Sequence, residues 1–130
     1  MDFEPHRRKF LEEWNSEEAV GYEEYLEILL DTVYVPCPGG NNSETYRFYE
    51  ALECGCVPIV VREPGDELFV KMITDNLPIL PTNTWDEASG LMRQLYDDKK
   101  LLESYRLNIL NAWRVWKLKL CGEIKTALNL

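Results

Sequence analysis

The chain has 130 residues, is 45% hydrophobic and 28% charged, and carries a formal net charge of −9. Length and composition fit a globular domain that buries its own core, and no run approaches the ~18 continuous apolar residues of a membrane span. The acidic balance argues against nonspecific nucleic-acid binding, where a basic face supplies most of the affinity, and the opening MDFEPHRRKF lacks the apolar centre of a signal peptide.

Charge is spread unevenly. Asp2, Glu4, Glu12, Glu13, Glu17, Glu18, Glu23, Glu24, Glu27 and Asp31 crowd the first quarter, whereas Lys99, Lys100, Arg106, Arg114, Lys117, Lys119 and Lys125 dominate the last. The plain reading is two solvated helix faces of opposite sign. The functional alternative is a basic end that meets an acidic partner or helps hold an anion.

In chain order, residues 5–18 are polar and helix-compatible. GYEEYLEILLDT follows as an amphipathic helix, with Tyr22, Tyr25 (or Leu26), Leu29 and Leu30 on one face and Glu23, Glu24 and Glu27 outside. Thr32–Val35 reads as a short strand, cut off by Pro36 and Pro38. PGGNNS is loop chemistry, and Ser43 stands where an N-cap would, with Glu44 suited to a first helical turn. ETYRFYEALEC then reads as a helix that stops at Gly55, a good residue for the left-handed position after a helix. A β-hairpin of VYV and TYRFY around PGGNN competes with this reading, but Phe48 and Leu52 share a helical face. VPIVV shows no alternation, which suits a strand buried on both faces of a parallel sheet.

REPGDE is a loop, ELFVKMITDN a short helix and LPILP a third short strand. Thr84 and Glu87 form a capping box at the head of the next helix. The last helix, over about 100–120, carries the stripe Leu102, Tyr105, Ile109, Trp113, Trp116 and Leu120. Alternation of strands and helices predicts an α/β fold with a parallel sheet of about three strands and right-handed crossovers. The expected organisation is one α/β domain over 1–130: a helical segment (1–20), an α/β core (21–98) and a C-terminal helix (99–130).

Four cysteines, Cys37, Cys54, Cys56 and Cys121, lack the paired spacings of a tetrahedral zinc site, and His6 is the one histidine. No metal is expected. Buried free thiols are the default reading, with a reducing environment the favoured context.

The loop from Pro36 to Ser43 falls where ligands sit in open α/β sheets, outside the carboxyl end of a strand. Gly39 and Gly40 allow close approach of an anion, and the following helix N-terminus offers free N–H groups. Asn42 lies in the same loop, and Ser43 and Thr45 add hydroxyls. Arg47 can pair with a diphosphate, and Glu50 can accept the hydroxyls of a ribose. The competing account is an i, i+3 ion pair on an exposed helix, worth a few tenths of a kcal/mol. The lysine of a phosphate loop and the G-x-G-x-x-G of a dinucleotide fold are both missing.

YVPCPGGNNSETYRFYEALECGCVPIVV resembles the most characteristic stretch of exostosin-like glycosyltransferases. Their pattern is a strand, a Cys/Pro element, a glycine-bearing loop, Ser-x-Arg-x-x-Glu-Ala, then Gly-Cys-x-Pro-Val and a hydrophobic strand. Here it reads Cys37, Pro38, Gly40, then Thr45, Arg47, Glu50, Ala51, then Gly55, Cys56, Pro58. With EEYLEILLDTVYVPCP upstream and NLPILPTNTWDEASGLMRQL downstream, the likeness covers about residues 20–110. Thr45 replaces the usual serine, and Gly39 stands where a basic residue is frequent.

The resemblance implies a partial, doubly wound, Rossmann-like sheet of the GT-B C-terminal-half type. It implies a donor-binding role: Glu50 on the ribose and Arg47 on the diphosphate of a nucleoside-diphosphate sugar. A UDP-sugar would be the substrate, a glycan or protein the acceptor, and no cofactor is needed. The base of such enzymes comes from the acceptor-binding half, so no catalytic residue is assigned. Full-length relatives are expected in the Golgi lumen behind an N-terminal membrane helix; the compartment of this chain is unassigned. A complete donor half has about six parallel strands, so a missing partner domain or self-association through the Thr32–Val35 edge or the Trp113/Trp116 face is expected, although the plainer reading of the two tryptophans is that they cover the core. Two alternatives stand beside this reading: an inactive α/β interaction module, and a fucosyltransferase-like GT-B relative using a GDP-sugar.

Overall fold

The computed structural model describes residues 21–38 and 46–130. The helix expected over 5–18 and the loop residues 39–45 lie outside the described residues. In order, the elements are α1 (Tyr22–Leu30), β1 (Tyr34–Pro36), α2 (Tyr46–Glu53), β2 (Val57–Ile59), α3 (Glu67–Asn76), α4 (Trp85–Asp97) and α5 (Lys99–Ala127). The fold is α/β: a small parallel sheet among helices.

β1 and β2 pair in parallel, with Tyr34 opposite Val57 and Pro36 opposite Ile59. Val57 N–H donates to Val33 C=O at 2.7 Å and Cys37 N–H to Ile59 C=O at 2.9 Å. Odd-numbered residues therefore carry the ladder. Pro36 and Pro58, which have no N–H to give, occupy the positions that face away from it. Both strands are buried along their whole length, as the unbroken aliphatic run required.

Among the described residues the sheet has two strands, where about three were expected. Beyond β2 the chain makes one parallel bridge, Val61 to Thr82, with Thr82 N–H on Val60 C=O at 3.0 Å and Arg62 N–H on Thr82 C=O at 2.7 Å. Pro78 and Pro81 supply no donors to a ladder, and the N–H of Leu80 donates to the Tyr105 hydroxyl at 2.9 Å instead. Segment 77–81 thus runs beside β2 without becoming a strand.

Between β1 and β2 the chain is helical rather than a hairpin, since a parallel return needs a crossover. α2 buries Phe48, Ala51 and Leu52. Its end is a full Schellman closure: Cys56 N–H reaches Ala51 C=O at 2.9 Å, Gly55 N–H reaches Leu52 C=O at 3.2 Å, and Gly55 sits at φ 72°. Arg106 of α5 donates to Gly55 C=O at 3.3 Å and is itself held by Glu103 at 2.7 and 3.0 Å.

The capping box at Thr84 forms, with Glu87 N–H on Thr84 Oγ1 at 3.1 Å. The return bond goes from Asn83 N–H to Glu87 at 2.7 Å, one residue earlier than in the usual arrangement.

Two faces differ from expectation. In α1, Leu29 is buried and Tyr25 and Leu26 are half-buried against the core, but Tyr22 and Leu30 are exposed. They lie at the two helix ends, past the reach of the covering elements. In α5 the stripe is inside from Leu102 to Trp116, whereas Leu120 and everything beyond it, Ile124 and Leu128 included, is exposed. The helix outruns the core it covers.

The tryptophans face inward. Trp113 stacks near Tyr49 at 5.9 Å and edge-on to Trp116 at 5.6 Å, and its indole N–H donates to Glu53 at 3.0 Å. Lys117 joins the same carboxylate at 2.7 Å. The Trp113/Trp116 pair is therefore core, not a surface for self-association. Phe48 meets Phe69 of α3 edge-on at 5.5 Å, so α2 is gripped from two sides.

Gly55→Ala forces a Cβ into the left-handed region, which costs about 1–2 kcal/mol. Urea unfolding should show a lower midpoint at unchanged slope; a midpoint equal to wild type would rule out the closure as a constraint. Trp113→Ala should cost about 3–5 kcal/mol in the same assay, far more than Leu118→Ala, whose side chain is exposed.

Candidate functional site

In the parallel crossover, α2 is the element that follows β1, after residues 37–45. Of the expected site residues, Gly39, Gly40, Asn42, Ser43 and Thr45 lie outside the described residues. Arg47 and Glu50 are described, and both are half-buried. They flank the inner face made by Phe48, Ala51 and Leu52, so they stand at the border between core and solvent, not on an open surface.

Four groups converge there: Tyr25 from α1, Cys37 just past β1, and Arg47 and Glu50 from α2. The Tyr25 hydroxyl is within hydrogen-bonding reach of both Glu50 and Arg47. α1 is held in place to deliver it, because the Cys56 thiol donates to Leu29 C=O at 3.0 Å and the Thr32 hydroxyl caps Ile28 C=O.

Electrostatics follow from this packing. Burial raises the Glu50 carboxyl above its ordinary range; the Arg47 charge and the Tyr25 hydrogen bond pull it back. Its Oε2 atom is buried and has no hydrogen-bond partner among the described residues. Burial also raises the Tyr25 phenol, with Glu50 adding to the effect and Arg47 opposing it. The Cys37 thiol is pushed up to about 12 by burial, again against the Arg47 charge, and Cys56 is pushed up to about 12 chiefly by burial. Both are neutral thiols, unsuited to nucleophilic work.

Arg47 therefore acts on three groups at once, Tyr25, Glu50 and Cys37. An exposed i, i+3 ion pair does not describe this arrangement. Chemically, the cluster sets the Arg47 guanidinium beside a half-buried carboxylate whose Oε2 is buried and unpartnered among the described residues. That pair suits a ligand carrying an anion and a hydroxyl a few ångströms apart.

Sequence reading missed Tyr25, which it placed on the apolar face of its helix. The signal was available in the residue itself: a tyrosine turned toward a core needs a partner for its hydroxyl. Among the described residues no group of three or more His, Cys, Asp or Glu side chains could hold a metal ion, and no helix is long and apolar enough to cross a membrane.

Comparison with protein-family models matches residues 6–124 to the RXYLT1 C-terminal domain. No curated protein and no solved structure matches the chain. The matched span includes β1, α2 and the Tyr25–Arg47–Glu50 cluster, and it reaches well into α5. The chain accordingly belongs to the RXYLT1 C-terminal domain family, an exostosin-like glycosyltransferase family.

Proposed function

We propose that this chain is the nucleotide-sugar-binding part of a GT-B glycosyltransferase. Glu50 accepts the ribose hydroxyls of a UDP-sugar, and Arg47 with residues 39–45 takes its diphosphate. The sugar passes from the diphosphate to a hydroxyl of a glycan or protein acceptor held by another part of the enzyme. The bond between anomeric carbon and phosphate oxygen breaks, and nucleoside diphosphate leaves. Arg47, on the first turn of α2, then neutralises charge that develops on that leaving group. On this reading the β1–β2 pair and the bridge at Thr82 belong to a Rossmann-like parallel sheet of GT-B type.

The observation that carries this reading is the orphaned Oε2 of Glu50. A buried acceptor left unmade costs about 1–3 kcal/mol. A protein carries such a cost where a ligand satisfies the atom, and a vicinal diol is the ligand chemistry that a carboxylate beside a cation accepts.

Calorimetric titration of the chain with UDP and with GDP tests this directly. Wild type should bind UDP, and Glu50→Gln should weaken it by about 1.5–3 kcal/mol, or roughly tenfold to hundredfold. Equal affinity in wild type and variant would sink the site assignment, and a preference for GDP would favour a fucosyltransferase-like donor instead.

The same variant makes a second prediction of opposite sign. The Glu50 carboxyl is raised, so the folded state binds its proton more tightly than the unfolded chain does. In that window stability falls as pH rises. Replacing the charge with an amide removes the burial cost, so Glu50→Gln should melt at or above the wild-type temperature at pH 7. A clearly lower melting temperature would mean that Glu50 is structural.

A further inference from the structure

We infer that the overhanging end of α5 packs on α1 of a second copy of this chain, in a reciprocal two-fold pair. The inference goes beyond the donor-site reading and does not depend on it.

Trp116 is the last buried residue of the α5 stripe, yet the helix runs on to Ala127. The stripe does not stop with its cover. Leu120, Ile124 and Leu128 continue it in four-residue steps, and they are 38%, 57% and 61% exposed. At ~3.6 residues per turn, Arg114, Lys117 and Lys125 share one flank of this row, and it carries no acid. Lys119 and Glu123 fall on the other flank. Lys117 is spent on Glu53 within the chain; Lys125 is exposed.

α1 presents the counterpart. Tyr22, Leu26 and Leu30 form a row with the same four-residue step. Leu26 is half-buried against the core, but the two ends of the row are 67% and 70% exposed. One residue further on each time come Glu23, Glu27 and Asp31, a row of exposed acid beside the apolar one.

Rows that climb in steps of four are the ridges that interlock when two helices cross at about 50°. In both helices the charged residue follows the apolar one, Lys125 after Ile124 and Glu27 after Leu26. An antiparallel crossing therefore brings the two charged rows to the same side of the seam. With Ile124 against Leu26 at its centre, Lys125 meets Glu27. Both faces are exposed in the same chain, so a second molecule has to supply each partner, and another copy carries both by construction. Exchange about a two-fold axis uses every face once and closes.

Sedimentation velocity over a concentration series is the test. Wild type should approach twice the 15.2 kDa of the chain, and Ile124→Asp should remain at the single mass. Lys125→Glu and Glu27→Lys should each raise the dimer dissociation constant about tenfold or more. The double reversal should restore it, and Lys119→Glu should leave it unchanged. All four positions are exposed, so the monomers keep their fold. A wild type that stays monomeric at its highest soluble concentration overturns the inference, as does a dimer indifferent to both single reversals. A monomer that sediments with phosphatidylserine vesicles, and loses this in Ile124→Asp, would put a lipid surface in place of the second copy. A mass that climbs past the dimer would mean faces joined head to tail without closing, and overturns the two-fold pair.

Discussion

Two strands of three residues each cannot stand in water, because an isolated pair has too little apolar face to hold it. The β1–β2 pair exists only because every residue of it is covered. The constraint that makes this possible is the return of the chain through α2. It must leave β1, bury Phe48, Ala51 and Leu52, and turn within three residues into β2. Gly55 permits that turn, and Arg106 ties it to α5. One short closure thus joins the sheet, its crossover helix and the long terminal helix.

The same crossover explains why the cluster lies where it does. With one side of α2 committed to the core, Arg47 and Glu50 are left on the flank, where α1 reaches across with Tyr25. A carboxylate in that place costs stability, and burial raises it accordingly. Membership of an exostosin-like glycosyltransferase family agrees at the level of reaction class.

Charge at the two ends divides into solvated and occupied groups. Glu23 and Glu27 of the first described helix and Asp31 just past it are exposed, as are Lys99, Lys100, Arg114, Lys119 and Lys125 of α5. Arg106 and Lys117 differ. Each is half-buried and bonded inward, the first to Gly55 and the second to Glu53 beside the Trp113 ring. The plain reading of solvated faces therefore holds for most of the basic end, with two exceptions that tie α5 to α2.

Much of this was legible in the order of residues, since it depends on neighbours in the chain. The left-handed stop at Gly55, the cap at Thr84 and the three- and four-residue spacing of Ile109, Trp113 and Trp116 are local, and local geometry follows from local chemistry. So is the unbroken apolar character of Val57–Val61, which announced a strand covered on both faces. Strand number was not legible: LPILP has strand composition, but its prolines and the Tyr105 hydroxyl claim what a ladder would need. Nor was the apolar reach of α5, because where a stripe stops being buried depends on where the other helices end. Above all, the sequence named Arg47 and Glu50 but could not bring Tyr25 to them. Residues 25 and 50 meet only because α1, β1 and α2 are packed together, and burial, which raises the Glu50 carboxyl, is a property of that packing alone.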